Sequence, residues 1–379
     1  MNQFHPYTKL ILLIAVAIFA SCSRSKSTQG GDYIDINNIE KVSFYDVYDS
    51  IEIIPLETTE ESILIYRQTK PAKMVLHDDK FYILDENKIF IFDSNGKYIS
   101  KINKQGRGRG EYSEISDFNI NMFTGDIEIL SPTGVINIYD KNSLEYRQKI
   151  EIQTSNNAYH AFHCLTEDIY ILYSAYSEDR QILLYSISKA ELIGDTYHAP
   201  TWLPQAGLSY STSPFYTIGE SLCFVQAYDG QVFNLGEQPP YINTKYQWDF
   251  GRATINIDNI PPDRDYKFYL DYFKSGNKFV THFVQCLENS NIFITCFTYK
   301  SKWYQMIYDK RAKSHTIFQK FEECKGSIPI IIDDNYAYSS NIHRYTSINE
   351  KLLDQKNLSI YNSLSDDDNP VIVKYKFKR

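Results

Sequence analysis

The chain has 379 residues, with 47 acidic against 39 basic side chains, a formal net charge of −8 and an aromatic content of 15%. An acidic balance with scattered Lys and Arg excludes a nucleic-acid partner, because phosphate binding needs a clustered basic surface. The six cysteines form no CxxC pair and match no zinc-ligand spacing, which excludes a zinc module.

At the N-terminus, Lys9 precedes an unbroken apolar run from Leu10 to Ala20, and the small residues Ala20 and Ser21 stand directly before Cys22. This is the layout of a signal peptide over residues 1–21. The run is far shorter than the roughly 20 residues a membrane-spanning helix needs, so it directs export and does not remain as an anchor. A cysteine placed this way resembles the bacterial lipobox, whose thiol is diacylated and becomes the mature N-terminus, although Phe19 stands where leucine is usual. Cys22 is therefore the expected lipid attachment. Residues 22–31, small and polar after the cysteine, read as a flexible tether, and 32–379 as one large repeat-built domain. The expected location is the cell envelope, with the lipid holding the chain to a membrane, the outer membrane facing the periplasm or the surface.

Beyond the tether strand signals dominate: 32 Tyr and 22 Phe, many Ile, and short alternating runs bounded by Asp, Asn, Gly and Ser. A lone strand, SIEIIPL (50–56), comes first. A two-strand unit then recurs, as in KFYILDENKIFIFD (80–93), DIEILSPTGVINIYD (126–140) and NIFITCFTYKSKWYQMIYD (291–309). Apolar strands flank each pair, so the unit is a four-stranded antiparallel meander. Units begin near residues 72, 115, 158, 213, 279 and 327, and a period of roughly 40 to 50 residues with four strands marks propeller blades. Insertions fall chiefly at 196–212 and 251–277. The sixth unit supplies only three strands, and the lone strand 50–56 is the expected fourth, pairing with the C-terminal blade to close the ring. The fold class is all-β, a six-bladed β-propeller.

The segments DSIEIIPLETTEES (49–62), FYILDENKIFIFDSNGKYISKINKQGRGRGEY (81–112) and NPVIVKYKFK (369–378) resemble the six-bladed β-propeller lipoproteins of gut-dwelling gram-negative bacteria, which are related in blade pattern to NHL-repeat propellers. The resemblance implies fold and location, the family's biochemical role being largely unassigned. Members usually carry a GRGPGE loop after the first full blade; here it reads Gly106 to Glu111 with Arg109 in the proline's place.

That loop offers free backbone N–H groups and the guanidinium groups of Arg107 and Arg109, an anion site if they converge, though it equally suits a plain blade connector. Residues at the starts of inner strands converge on a propeller's channel. Asp117, His160 and His282 occupy such places and are the candidate ligands for a divalent metal, whose bound water would serve a lactonase-like hydrolase or lyase. His163, inside AFHCL, reads as a core histidine. Trp202, in an insertion and not a regular strand, is the candidate sugar-stacking aromatic. Cys164, Cys223, Cys286, Cys296 and Cys324 mostly lie in apolar runs and read as buried thiols. No GxSxG or HExxH motif occurs. The expected function is a noncatalytic lipoprotein presenting a propeller to a small molecule, glycan or envelope protein; the alternatives are the metal-dependent enzyme and a structural subunit of an envelope complex.

Overall fold

The reason for the ring lies in strands that are apolar on both faces. In KIFIFD, Ile89 and Ile91 pack toward the second blade while Phe90 and Phe92 pack toward the sixth. A strand with two apolar faces is stable only between two other sheets, and a closed ring of blades supplies that for every sheet. The computed structural model describes residues 32–378 apart from 66–72, 153–157, 176–180, 194–199, 201, 204–213, 257–258, 263, 275–277, 325–328 and 342–347. The signal peptide, Cys22 and the tether therefore lie outside the described residues.

Six four-stranded antiparallel sheets follow one another along the chain. Their inner strands are Met74–His77, Asp117–Ile120, Ala161–Cys164, Phe215–Ile218, Thr281–Glu288 and Ile331–Ile332, each within a few residues of the unit starts expected from the repeat. In blades 1 to 5 the order from inside to outside is the order of the chain. Blade 6 runs Ile331–Ile332, Tyr336–Asn341, Val371–Phe377 and then Tyr48–Pro55, so its outermost strand comes from the N-terminal end of the domain. The expected closure is observed, with Ile51 opposite Tyr375, Ile53 opposite Val373 and Pro55 opposite Val371.

Each gap between neighbouring blades holds its own apolar core. Ile54, Leu56, Tyr338 and Ile372 of blade 6 meet Phe81, Ile83 and Phe92 of blade 1 across the seam. The segment before the closing strand adds to this by lying along other blades: Ile34 and Ile36 join the core between blades 4 and 5, and Glu40 donates its N–H to the Ile317 carbonyl at 2.8 Å. Further on, Glu323 accepts hydrogen bonds from Ser43 Oγ at 2.5 Å and from the Phe44 N–H at 2.6 Å. Gly96, at φ +83°, shows why the Asn95–Gly96 turn of blade 1 requires glycine, since a Cβ there would lie 2.0 Å from the Pro55 carbonyl oxygen of the closing strand.

Besides the single turn Phe44–Val47, two nine-residue helices depart from the all-strand expectation. Tyr266–Lys274 lies in the insertion between blades 4 and 5, started by Asp265 Oδ1 accepting from the Phe268 N–H at 2.8 Å. Tyr269, Tyr272 and Phe273, at helical spacing, turn toward a small aromatic core of the insertion. Gln355–Ser363 lies in a third insertion within blade 6, which the strand rhythm does not disclose. Its buried Asn357 accepts from the Ile53 N–H at 2.8 Å, and so fastens the insertion to the closing strand. Among the described residues no helix is long and apolar enough to cross a membrane.

Asn369 ties the seam in the same manner. Its side chain accepts from the Leu64 N–H at 2.8 Å and donates to the Glu57 and Ser62 carbonyls at 2.8 and 2.9 Å, while only 4% exposed. Asn369→Ala strands the buried Leu64 N–H and Ser62 carbonyl, the Glu57 carbonyl keeping its bond from Ser62 Oγ, with an expected loss of about 2–3 kcal/mol, read as a lower urea midpoint at unchanged slope.

Candidate functional site

The inner strands of all six blades line one axial cavity of about 400 Å³. That volume lies in the range of small-molecule sites. Blade 1 contributes Lys73 to His77, blade 2 Asp117, Asn119, Ile120 and Met122, and blade 3 Ala161 to His163. Blade 4 contributes Pro214 to Thr217 with Gly219, blade 5 Gln285 to Glu288, and blade 6 Ile330 to Ile332. Blades 1 to 5 therefore each bring polar side chains to the wall, and blade 6 is aliphatic.

The polar side is a chain of hydrogen bonds that runs around the channel. Lys73 Nζ donates to Asp117 Oδ1 at 2.5 Å and to Asn119 Oδ1 at 3.0 Å. Asp117 Oδ2 accepts from the Phe162 N–H at 3.1 Å, and Asn119 Nδ2 donates to the Phe162 carbonyl. Two side chains of blade 2 thus satisfy a backbone N–H and C=O on the open inner edge of blade 3, groups that no neighbouring strand can reach. Burial pushes the Asp117 carboxyl up, with Lys73 pulling against it.

On the opposite wall, Glu288 accepts from Lys245 at 2.7 Å, Lys310 at 2.5 Å, Tyr216 at 2.6 Å and Tyr246 at 2.9 Å. Burial pushes this carboxyl up, but the hydrogen bonds from Lys245, Lys310 and Tyr216 outweigh it and hold the group below the usual carboxylate range. Cys286 also faces the cavity; burial pushes its thiol up to about 12, and its Sγ lies 3.0 Å from Thr295 Oγ1. A thiol held protonated is a poor nucleophile.

His163 proves to be part of this wall and not a plain core residue. Its Nδ1 lies 3.0 Å from the Cys164 carbonyl oxygen, so Nδ1 carries the proton and Nε2 is left as an acceptor. Burial, with Lys73 nearby, pushes its pKa down to about 4, so the ring is neutral at ordinary pH. The apolar neighbours in AFHCL disguise it: both faces of every strand here are buried, so alternation does not separate a channel residue from a core one.

The other sequence candidates disperse. Asp117 is in the cavity wall, but His160 is held by its own blade, with Nδ1 accepting from the Ala175 N–H at 3.2 Å. His282 sits at a bulge of the blade 5 inner strand with Nδ1 2.8 Å from Thr281 Oγ1 and 3.1 Å from Thr298 Oγ1. Among the described residues no three His, Cys, Asp or Glu side chains form a cluster that would hold a metal, so Asp117, His160 and His282 are not brought together as a ligand set.

Arg107 and Arg109 are exposed on their loop and outside the cavity lining, with Arg109 5.9 Å from the Tyr146 ring centre. The Glu111 carboxylate accepts from the Gly108 N–H at 2.7 Å, so the loop fills its own anion position. Trp202 is 4% exposed and packs on Tyr269 and Phe273, with ring centres at 6.1 and 5.4 Å. Its faces are covered by the insertion's aromatic core and are closed to a sugar. All five described cysteines are free thiols, Cys324 half-buried and the rest buried.

Six four-stranded blades around a cavity lined by every inner strand define a six-bladed β-propeller with an axial cavity. The chain belongs to the family described as a domain of unknown function, DUF4934, whose pattern matches residues 32–376. A crystal structure of a "putative exported protein" from Bacteroides fragilis has the same fold, with TM-score 0.69 and 15% identity, covering 90% of this chain and 98% of that one. A structure of U3-55K is a looser likeness, with TM-score 0.43 and 9% identity over 86% of this chain and 98% of that one. No curated protein matches the chain.

Of the described buried acids outside the cavity lining, Glu128 is the most deeply buried. Glu128, between blades 2 and 3, is fully buried; its Oε1 accepts from Asn121 at 2.8 Å and from the Tyr170 hydroxyl, while Oε2 has no hydrogen-bond partner among the described residues. Burial pushes its pKa up to about 7. The folded state therefore holds this proton more tightly than the unfolded chain, and the stability it lends is lost as pH rises from the ordinary glutamate range toward 7. Glu128→Gln removes that loss, so the free-energy gap between variant and wild type moves by about 1–3 kcal/mol in the variant's favour from about pH 5 to about pH 8, measured by urea denaturation at each pH.

Proposed function

We propose that this chain is an exported lipoprotein, anchored through Cys22 in the cell envelope, whose propeller binds a small ligand in the axial cavity without transforming it. The observation that carries the reading is the 400 Å³ cavity itself, walled by all six inner strands and crossed by side chains that already satisfy one another. The similarity to the Bacteroides fragilis protein described as a "putative exported protein" supports export, and the apolar run with small residues before Cys22 supports lipid attachment.

The chemistry of the wall favours binding over turnover. A nucleophile needs a lowered pKa or an adjacent base, and Cys286 has a raised one. A general base works best with a pKa near the operating pH, and His163 lies well below it. Asp117 and Glu288 are held by Lys73 and by Lys245 with Lys310.

Elemental analysis of the purified chain with thermal-shift readings before and after chelation tests the noncatalytic part. The expected result is no stoichiometric divalent metal and no shift; a bound metal whose removal lowers the melting temperature returns the lactonase-like reading. Cys22→Ala is expected to move the chain from the detergent-extracted membrane fraction to the soluble one, and a variant that stays membrane-bound overturns the lipid anchor.

A further inference from the structure

Three polar groups that open on the cavity have hydrogen-bonding capacity left over. An ammonium carries three N–H groups, and among the described residues Lys73 directs two bonds, to Asp117 and Asn119. His163 Nε2 has no partner among the described residues, because Nδ1 makes the ring's one hydrogen bond. Gln285 lines the cavity with its amide bound to no described side chain or backbone group. It sits at φ +50° in a strand whose pairing slips before it, between Thr281 and Val284, and again across it, between Val284 and Leu287. Such bulges re-aim a side chain away from the regular alternation. One remaining donor, one acceptor and one amide that is both thus face the same space.

The charges are settled without a ligand. Lys73 is matched by Asp117 at 2.5 Å, Lys245 by Glu288, Lys310 lies between Glu288 and the Asp334 carboxylate, which Ser290 and Lys310 together hold down, and His163 is neutral. A charged ligand entering this cavity would lose its hydration and gain no counter-charge, a cost of several kcal/mol. An uncharged ligand has no such cost, and one that is apolar all round would leave the three polar groups dry and unpaired. On the far wall Ile330, Ile331 and Ile332 give an aliphatic surface suited to the C–H face of a ring.

We propose, resting on the channel-binding reading above, that the ligand is an uncharged hydroxyl-bearing ring of mono- or disaccharide size, hydrogen-bonded by Lys73, His163 and Gln285 and backed by the isoleucines of blade 6. Hydroxyls suit the set because each both donates and accepts, meeting the lysine N–H, the imidazole nitrogen and the amide in turn.

The test is titration calorimetry on the intact chain in detergent with D-glucose, D-galactose, N-acetylglucosamine and cellobiose, and with citrate and spermidine as charged probes. At least one neutral saccharide is expected to bind, and Gln285→Ala and His163→Phe are each expected to weaken it roughly tenfold. The melting temperature of Gln285→Ala should stay at the wild-type value, since its side chain supports nothing else. Saccharide binding untouched by both substitutions overturns the assignment. Binding of citrate or spermidine alone, lost in the same variants, overturns the ligand class and leaves the channel reading standing; no binding by any probe removes both.

Discussion

Everything in this molecule depends on the pairing of Tyr48–Pro55 with Val371–Phe377. In an open array the outer blades would each leave an apolar face and a strand edge to solvent, which is a route to aggregation. Closure instead gives every blade two neighbours, and the core between blades 6 and 1 forms only because the two chain ends meet there. The ties around the seam are correspondingly dense: Asn357 and Asn369 reach the closing segment from the blade 6 insertion and its end, and Gly96 lets a turn of blade 1 lie on Pro55. The segment from Ile34 to Phe44 spreads the same attachment over blades 4 and 5.

The cavity is a consequence of that closure. Six inner strands each present one edge with no further strand to pair, and the edges converge on the axis. Their backbone groups still need partners, and Asp117 and Asn119 provide them for Phe162 in the manner of a missing strand. Burying charged groups for this purpose is costly unless each is matched, which accounts for Lys73 beside Asp117 and for the four donors around Glu288. A wall cross-linked in this way is preformed, so a ligand need not order it on entry.

The fold was legible in the sequence because its signals are local. Paired apolar runs around short polar turns repeat at blade spacing, and the shortage of one strand at the C-terminal end matches the spare strand at 50–56. The helices were not, because Tyr266–Lys274 and Gln355–Ser363 are short and their anchoring is tertiary, through Trp202 in one case and Ile53 in the other. The site was less legible still. Position along the inner strands pointed to Asp117, but which neighbour its carboxylate meets depends on how blades are rotated about the axis, and no local pattern encodes that. His163 and Gln285 were hidden for different reasons, the first by apolar neighbours in a strand buried on both faces, the second by a bulge that breaks the alternation from which a side chain's direction is read.

The same geometry explains why aromatic abundance misleads in a propeller. Tyr and Phe fill the gaps between blades because large flat side chains bridge sheets packed face to face, as in Trp248 against Phe293 at 5.5 Å and Tyr308 at 5.5 Å. The axis receives what those gaps do not take: strand edges, and the side chains whose polar atoms can satisfy them. Ring-on-ring packing therefore belongs to stability here, and on the proposed reading recognition falls to the sparse polar residues of the inner strands. It follows that the residues most informative about function are those whose hydrogen-bonding capacity exceeds what the fold itself uses, and Lys73, His163 and Gln285 are of this kind along the axial wall.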